Sequence, residues 1–327
     1  ATDGSLFANG GWDGTATNNI LASGQGLAFG STGDVFITFT VSPGAVTNVD
    51  NLATATGVSP QGDTVVDTST DGLDPDPSGE GTPDETDPTP TPFVEAPVIG
   101  LAKNLETVDN NMDGTYTVTY LLTVENLGDV PLTDLVVTDD IVGQFSGLAP
   151  TDFVATDGSL FANGGWDGTA TNNILASGQG LAFGSTGDVF ITFTVTPGAV
   201  TNVDNLAVAG GTSPQGDTVE DTSTDGLDPD PSGEGTPDET DPTPTPFVEA
   251  PVIGLAKNLE TVANNMDGTY TVTYLLTAEN LGDVPLTDLV ITDDIVSQFS
   301  GLAPTDFVAT DGSLFANGGW DGTATNN

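Results

Sequence analysis

A long internal repeat is the feature that most constrains how this chain can fold. The segment ATDGSLFANGGWDGTATNN occurs at residues 1–19, 155–173 and 309–327, so the sequence repeats every 154 residues, the offset from position 1 to position 155. This period is far too long for one coil of a solenoid, and each repeat should therefore hold a whole domain and a linker. Because both chain ends fall inside a repeat, we expect a segment of a longer tandem array.

Alternating apolar side chains predict that each domain is built from β-strands. TYTVTYLLTVEN at 115–126 places tyrosine, valine and leucine on one face and mostly threonine on the other. Further strands are predicted at 98–108, 132–141, 188–195 and 200–210, and the segment 143–180 is expected to be irregular. Because no segment shows a helical period, the pattern predicts an all-β chain of tandem immunoglobulin-like β-sandwich domains.

Acidic, proline-rich segments are predicted to join these domains. They contain few apolar residues, and their DPTPTP runs favour an extended, polyproline-like spacer. The predicted organisation is the C-terminal part of a repeat at 1–58, a linker at 59–93, a complete repeat at 94–212, a linker at 213–247 and the N-terminal part of the next repeat at 248–327.

The charge balance excludes several classes of function. The chain has 2 basic and 48 acidic residues, for a formal charge of -46, so we expect no nucleic-acid partner and repulsion from anionic membranes. It contains neither cysteine nor histidine, which excludes disulfides, thiol nucleophiles and histidine-based catalysis. The carboxylate pair Asp139–Asp140 points to opposite faces of a strand, so we expect no enzyme; no segment is apolar enough to insert into a membrane.

Three motifs, taken in order, resemble a known bacterial surface repeat. GLAKNLETV at 100–108, DGTYTVTYLLTVENLGDVPLTDLVVTDDI at 113–141 and TNVDNLA at 201–207 resemble the module called domain of unknown function eleven. That family is immunoglobulin-like and occurs in tandem in large cell-surface proteins and adhesins. The resemblance covers about 94–212 and its copies, implies an extracellular location at the cell surface and does not identify a ligand.

The only basic side chains, Lys103 and Lys257, occupy equivalent positions in the two copies. Strand parity turns Lys103 inward, together with Asp139 and Asn205, and a buried unpaired ammonium is very costly. Surface modules related to pilins and collagen adhesins can join such a lysine to such an asparagine through an isopeptide bond promoted by a nearby carboxyl group. The sequence leaves open this bond, a buried ion pair and a lysine that reaches the rim of the sandwich. Lys257 and Asn51 each lack their counterpart and should stay unbonded.

Calcium is the predicted cofactor. DTSTDGLDPDP occurs at 67–77 and at 221–231, and alternating oxygen ligands suit Ca²⁺, although the glutamate of an EF-hand loop is missing. The candidate ligands are Asp67, Ser69, Asp71, Asp74 and Asp76 in the first copy and Asp221, Ser223, Asp225, Asp228 and Asp230 in the second. The alternatives are a solvated acidic spacer and a surface adapted to high salt.

Taken together, the patterns predict a structural role. We expect a segment of a giant extracellular protein that forms a stalk, an adhesin shaft or a filament, with neighbouring repeats of the same chain as head-to-tail partners. Lateral self-assembly into fibres is a further hypothesis. The alternative is an adhesion module that binds glycans in the 143–180 region through Trp166, Phe161 and Asn172, which requires an exposed Trp166.

Overall fold

The computed structural model describes residues 1–82 and 84–326. The chain divides into two units, residues 1–96 with 213–217 and residues 97–212 with 218–327. The regular secondary structure of both units is almost entirely β-strand, which confirms the predicted all-β class. Among the described residues, no helix has the length and apolar character needed to cross a lipid bilayer.

Among its described residues, the first unit contains three antiparallel strand pairs. Its strands are β1 (Thr2–Asp3), β2 (Val35–Phe36), β3 (Asn48–Asn51), β4 (Thr54–Val58), β5 (Thr64–Thr68) and β6 (Thr89–Pro92). They pair as β1 with β2, β3 with β6 and β4 with β5. Most of the large apolar side chains in this unit are exposed to solvent.

The second unit contains twelve strands among its described residues. They are β7 (Ile99–Asn110), β8 (Tyr116–Asn126), β9 (Thr133–Asp139), β10 (Thr151–Asp157), β11 (Thr186–Val195), β12 (Asn202–Asn205), β13 (Ala207–Thr212), β14 (Thr218–Thr222), β15 (Thr224–Asp225), β16 (Thr243–Pro246), β17 (Ile253–Asn264) and β18 (Tyr270–Asn280). Two short helices, α1 (Ile141–Gln144) and α2 (Ile295–Gln298), are each followed by a 3₁₀ turn, at Ser146–Leu148 and Ser300–Leu302.

Strands β7 to β16 enclose one hydrophobic core. One sheet has the order β10-β11-β8-β7-β15, a second has the order β14-β13-β9, and β12 pairs with β16. Side chains alternate between buried and partly exposed along β8 and β11, and the buried ones join those of β9 and β13 in a single cluster. This arrangement confirms the sandwich-like fold and the inward faces that the period-two patterns predict.

Three local features differ from the sequence-based expectations. The segment 143–180, expected to be irregular, includes strand β10, and α1 begins where the predicted strand at 132–141 ends. The predicted strand at 200–210 is two strands, because the ladder is interrupted at Leu206. Strand β12 then pairs with β16, whereas β13 pairs with β9 and β14.

The structure corrects the predicted linker at 213–247. Within that range β14 pairs with β13, β15 runs parallel to β7, and β16 pairs antiparallel with β12. Thr243, Thr245 and Phe247 are buried. The low apolar content of this range suggested a segment without a core. Each short strand buries only alternate residues, however, and the buried residues of these strands are mainly threonines. The range 59–93 is corrected in the same way by β5 and β6.

Candidate functional site: a buried lysine, carboxylate and amide

Three polar side chains from three different strands meet inside the sandwich. Lys103 lies on β7, Asp139 at the end of β9 and Asn205 at the end of β12. Their exposed fractions are 0%, 1% and 0%. The structure thus places all three inward, as strand parity predicts, and excludes the alternative of a lysine at the rim.

The carboxylate of Asp139 joins the other two groups. Its Oδ2 atom forms a salt bridge with the Lys103 ammonium, and its Oδ1 atom accepts a hydrogen bond of 3.0 Å from the Asn205 amide nitrogen. The side-chain oxygen of Asn205 (Oδ1) is buried and has no hydrogen-bond partner among the described residues. An amine and an amide therefore share one carboxylate, and the amide oxygen is free to accept a further proton donor.

Burial disfavours the charged form of both ionisable groups. Desolvation lowers the pKa of Lys103, although the Asp139 charge opposes the change. Desolvation also raises the pKa of Asp139, against the influence of the lysine and of the Asn205 amide. Because burial disfavours both charges, it favours transfer of a proton from the ammonium to the carboxylate. A neutral amine is a nucleophile, and a neutral carboxylic acid is a hydrogen-bond donor.

Tyr120 and strand β16 cover the cluster. The Lys103 ammonium nitrogen lies 3.9 Å from the centroid of the Tyr120 ring, and the Tyr120 hydroxyl hydrogen bonds to Thr245. Thr243, which pairs with Asn205 across the ladder, donates a hydrogen bond of 2.9 Å to the Lys103 carbonyl oxygen. The sequence analysis missed this cover. The sequence pattern that could have revealed this strand is the alternation of threonine with proline in TPTP, which presents every second side chain to one face.

The second copy shows the same ion pair without its cover. Lys257 forms a salt bridge with Asp293, but the two side chains are 32% and 14% exposed. Its ammonium nitrogen lies 4.2 Å from the centroid of the Tyr274 ring. Strand pairing and the aromatic neighbour are thus reproduced by the first half of the fold, whereas full burial of the lysine requires the strands that follow.

The first half of the predicted calcium segment at 221–231 is part of the sandwich. Asp221 is buried, and its carboxylate accepts a hydrogen bond of 2.7 Å from the backbone nitrogen of Leu101. The hydroxyl oxygen of Ser223 accepts one of 2.9 Å from the backbone nitrogen of Ala207. Asp225 is exposed on β15. These side chains fasten the segment to β7 and β13 and do not converge on one point.

The second half of this segment is a set of tight turns. Asp228 accepts a hydrogen bond from the backbone nitrogen of Asp230, which in turn accepts bonds from the Ser232 hydroxyl and from the backbone nitrogen of Gly235. These hydrogen bonds hold the two carboxylates in the turns. In the part of the chain that the structure describes, no group of three acidic side chains could hold a metal ion.

The first copy of the predicted calcium segment repeats several of these contacts. Ser69 accepts a hydrogen bond from the backbone of Ala53, Asp74 accepts one from the backbone of Asp76, and Asp76 accepts one from the backbone of Gly81. Asp71 is exposed and Asp67 lies on β5. The residues at 67–77 and 221–231 do not fit a single cation site in this arrangement, and calcium binding stays a prediction.

The structure does not present Trp166 as a binding surface. Its indole is 4% exposed and packs edge-on against Phe153, with ring centroids 5.7 Å apart. Asn172 hydrogen bonds to Asn163 and to the backbone of Gly165, and Phe161 is exposed. The glycan hypothesis required an exposed tryptophan, and the structure instead gives this side chain the role of a core residue.

Comparison with known proteins adds no relative. No protein-family model matches this chain, and no curated protein matches it. The resemblance to the bacterial surface repeat therefore rests on the motifs themselves, and the functional argument rests on the geometry of the buried cluster.

Proposed function

We propose that this chain is a structural repeat segment of an extracellular surface protein, which forms a stalk, an adhesin shaft or a filament. In this proposal an isopeptide bond between Lys103 and Asn205 locks the sandwich. The observation that carries it is the closed cluster of amine, carboxylate and amide on three strands, with Asp139 bonded to both other groups. A buried ion pair alone is often no more stabilising than apolar residues of similar volume, so stability does not by itself explain this cluster.

The proposed reaction needs no group from outside the domain. A proton passes from the Lys103 ammonium to Asp139, and the neutral amine attacks the Asn205 side-chain carbon. A half turn of the amide brings its oxygen, now without a partner, to the protonated acid, which polarises the carbonyl. The new bond forms from the lysine nitrogen to the carbonyl carbon while the bond to the amide nitrogen breaks. That nitrogen takes the proton lost by the amine and leaves as ammonia.

The bond would suit a domain that carries tension. It would close a loop of about a hundred residues, and such a cross-link restricts the unfolded chain by about 4.7 kcal/mol. Force that enters through β7 would pass directly from Lys103 to Asn205 and bypass the core between them. Residues 206–247 lie beyond the bond and depend on non-covalent contacts, such as those of Asp221 and Ser223.

Single-molecule force spectroscopy can measure how much of the sandwich extends under force. With the bond in place, only about forty residues of the sandwich can extend, which corresponds to roughly 14 nm of contour length. Without it, about 150 residues extend, or roughly 50 nm. An extension of roughly 50 nm in the unmodified chain would contradict the proposal.

Proteolysis of the full chain gives the most direct test. Trypsin cleaves after lysine and arginine, and Lys103 and Lys257 are the only such residues. In the denatured monomeric chain, we expect Lys103 to resist cleavage, Lys257 to be cut, and the intact mass to be low by one ammonia. The matched control is Asn205→Ala, in which Lys103 should become cleavable. Cleavage at both lysines together with full mass in the unmodified chain would overturn the proposal.

A further inference from the structure

Residues 218–247, which we call the covering segment, hold the backbone of the reactive lysine. Strand β15 of this segment runs parallel to β7, with Asp225 opposite Lys103. The Lys103 carbonyl oxygen accepts two hydrogen bonds of 2.9 Å from the segment, one from the backbone nitrogen of Gly226 and one from the Thr243 hydroxyl. The covering segment therefore fixes the strand that carries the amine.

The same segment also closes the cluster around the two side chains that would react. Thr243 lies opposite Asn205 in the β12–β16 ladder. The Thr245 hydroxyl hydrogen bonds to that of Tyr120, whose ring lies over the Lys103 ammonium. Both threonines are 0% exposed. The covering segment thus borders the amide through one threonine and the amine through the other.

The covering segment lies outside the loop that the isopeptide bond would close. The reactive lysine, carboxylate and amide all precede it in the chain, so the bond would not hold the segment in place. Its own attachments are non-covalent. Asp221 accepts a hydrogen bond of 2.7 Å from the backbone nitrogen of Leu101, and the Phe247 ring packs edge-on against Tyr116, with centroids 5.4 Å apart. The segment can therefore dock before the bond forms.

Docking of the segment changes the chemistry of the cluster because it removes water. Desolvation is the largest influence on the pKa of both Lys103 and Asp139. In water both groups keep their charges, whereas burial favours the neutral amine and the neutral acid that the reaction needs. The share of this neutral pair depends on the difference between the two pKa values. A change of about one in each pKa towards its ordinary value would lower this share about a hundredfold.

We propose that docking of the covering segment is the step that starts formation of the Lys103–Asn205 bond. This inference rests on the proposed function and adds its regulation, because the amine and the amide stay unlinked until residues 218–247 are in place. The lysine nitrogen then replaces the amide nitrogen on the Asn205 side-chain carbon, and the displaced nitrogen leaves as ammonia with one proton of the amine. A repeat is locked only when its sandwich is complete, and later undocking of the segment would not restore the free amine.

The order of docking and linkage tests this inference in the full chain. The chain is made by cell-free translation, and samples are taken over time for hydrogen exchange and intact mass. Pro244 and Pro246 have no N–H group, so exchange protection in β16 and at its end reports the amides of Thr243, Thr245 and Phe247. We expect these amides to become protected before ammonia is lost. Chains that have lost ammonia while β16 is unprotected would overturn the inference.

The Asn205→Ala variant controls for the direction of cause. It cannot link, yet its β16 amides should be protected as in the unmodified chain, because docking comes first. Loss of protection in this variant would show that docking depends on the bond, and would contradict the inference while leaving the proposed function intact. Full mass at all times in the unmodified chain, with β16 protected, would instead refute the proposed function and this regulation with it.

A charged residue in β16 provides the second test. Thr245→Asp places a carboxylate at a fully buried position and should prevent docking. We expect linkage to slow by about a hundredfold or more, measured by intact mass and by tryptic cleavage at Lys103 after denaturation. Thr192→Asp is the matched control, because it adds the same charge on the outer face of β11, where Thr192 hydrogen bonds to Thr119.

The rates of these variants decide between docking and a general effect of charge. Thr192→Asp should link as fast as the unmodified chain, and so should Thr245→Ser, which keeps the hydroxyl group. Linkage of Thr245→Asp at the unmodified rate, with β16 unprotected, would overturn the inference. If Thr245→Asp does not fold, the order of events in the unmodified chain still decides.

Discussion

The Asn205→Ala substitution tests the cross-link with a magnitude that the structure supplies. It removes the carbon that Lys103 would attack and keeps the salt bridge to Asp139. Loss of a loop of about a hundred residues should cost about 4.7 kcal/mol. In the linked chain the Asn205 side-chain nitrogen has already left as ammonia, so the free energy of unfolding should fall only by the cross-link's contribution of about 4.7 kcal/mol. If no cross-link forms, the substitution removes one hydrogen bond to a charged group and should cost about 1.5–3 kcal/mol.

Urea denaturation distinguishes these two values. With a slope of about 2 kcal/mol per molar urea, the cross-link predicts a midpoint lower by roughly 2.4 M, and the hydrogen bond alone predicts roughly 1 M. Because the chain has three tryptophans, the measurement uses a background with Trp12→Phe and Trp320→Phe, in which fluorescence of the buried Trp166, which packs on Phe153, reports the transition. The matched control is Asn51→Ala, because Asn51 is exposed in a unit without lysine and should leave the Trp166 transition unchanged.

A small shift would refute the reasoning. If Asn205→Ala lowers the midpoint by no more than roughly 1 M, the lost hydrogen bond accounts for the change. The rate of tryptic cleavage at Lys103 in high urea provides an independent reading, because only a free lysine is cut. Equal rates in the variant and the unmodified chain would show that the amine never reacts.

Three further predictions concern other parts of the second unit and of its copies. In the Asn205→Ala background, where no cross-link can form, Asp139→Ala leaves a buried lysine unpaired and should lower the free energy of unfolding by about 3–5 kcal/mol, whereas Asp293→Ala, in a partly exposed pair, should cost no more than about 1 kcal/mol by urea denaturation. Phe247→Ala should cost about 3–5 kcal/mol in thermal unfolding because the ring is buried, while the same change at the less buried Phe93 should cost clearly less; equal costs would contradict the folded position of 213–247. Burial raises the pKa of Asp221 to about 6 in the folded chain. Its stabilising contribution is therefore complete below about pH 4, the range of a free aspartate, and is lost as the pH rises through 6. Melting curves of Asp221→Asn should lack this part of the decline, and identical pH profiles would contradict the assignment.

Much of the fold could be predicted from local patterns. Period-two alternation identified β7, β8 and β11 and the faces that they bury, because a strand turns successive side chains to opposite sides whatever surrounds it. The same alternation predicted that Lys103, Asp139 and Asn205 point inward, although it does not show how their strands pack. The prediction failed in 213–247, where the buried positions are filled mainly by threonine and aspartate and hydropathy carries no signal.

The sequence by itself thus determined the strand class, the repeat and the inward direction of three polar side chains. Only the tertiary structure decided that these three share one carboxylate, because β7, β9 and β12 lie far apart in sequence and their distance depends on how the sheets pack. It also decided that the TPTP strand belongs to the sandwich. The physical reason is that parity is local, whereas the burial of a charged lysine is achieved by several strands together, here by Tyr120 of β8 and by Thr243 of β16 around Lys103.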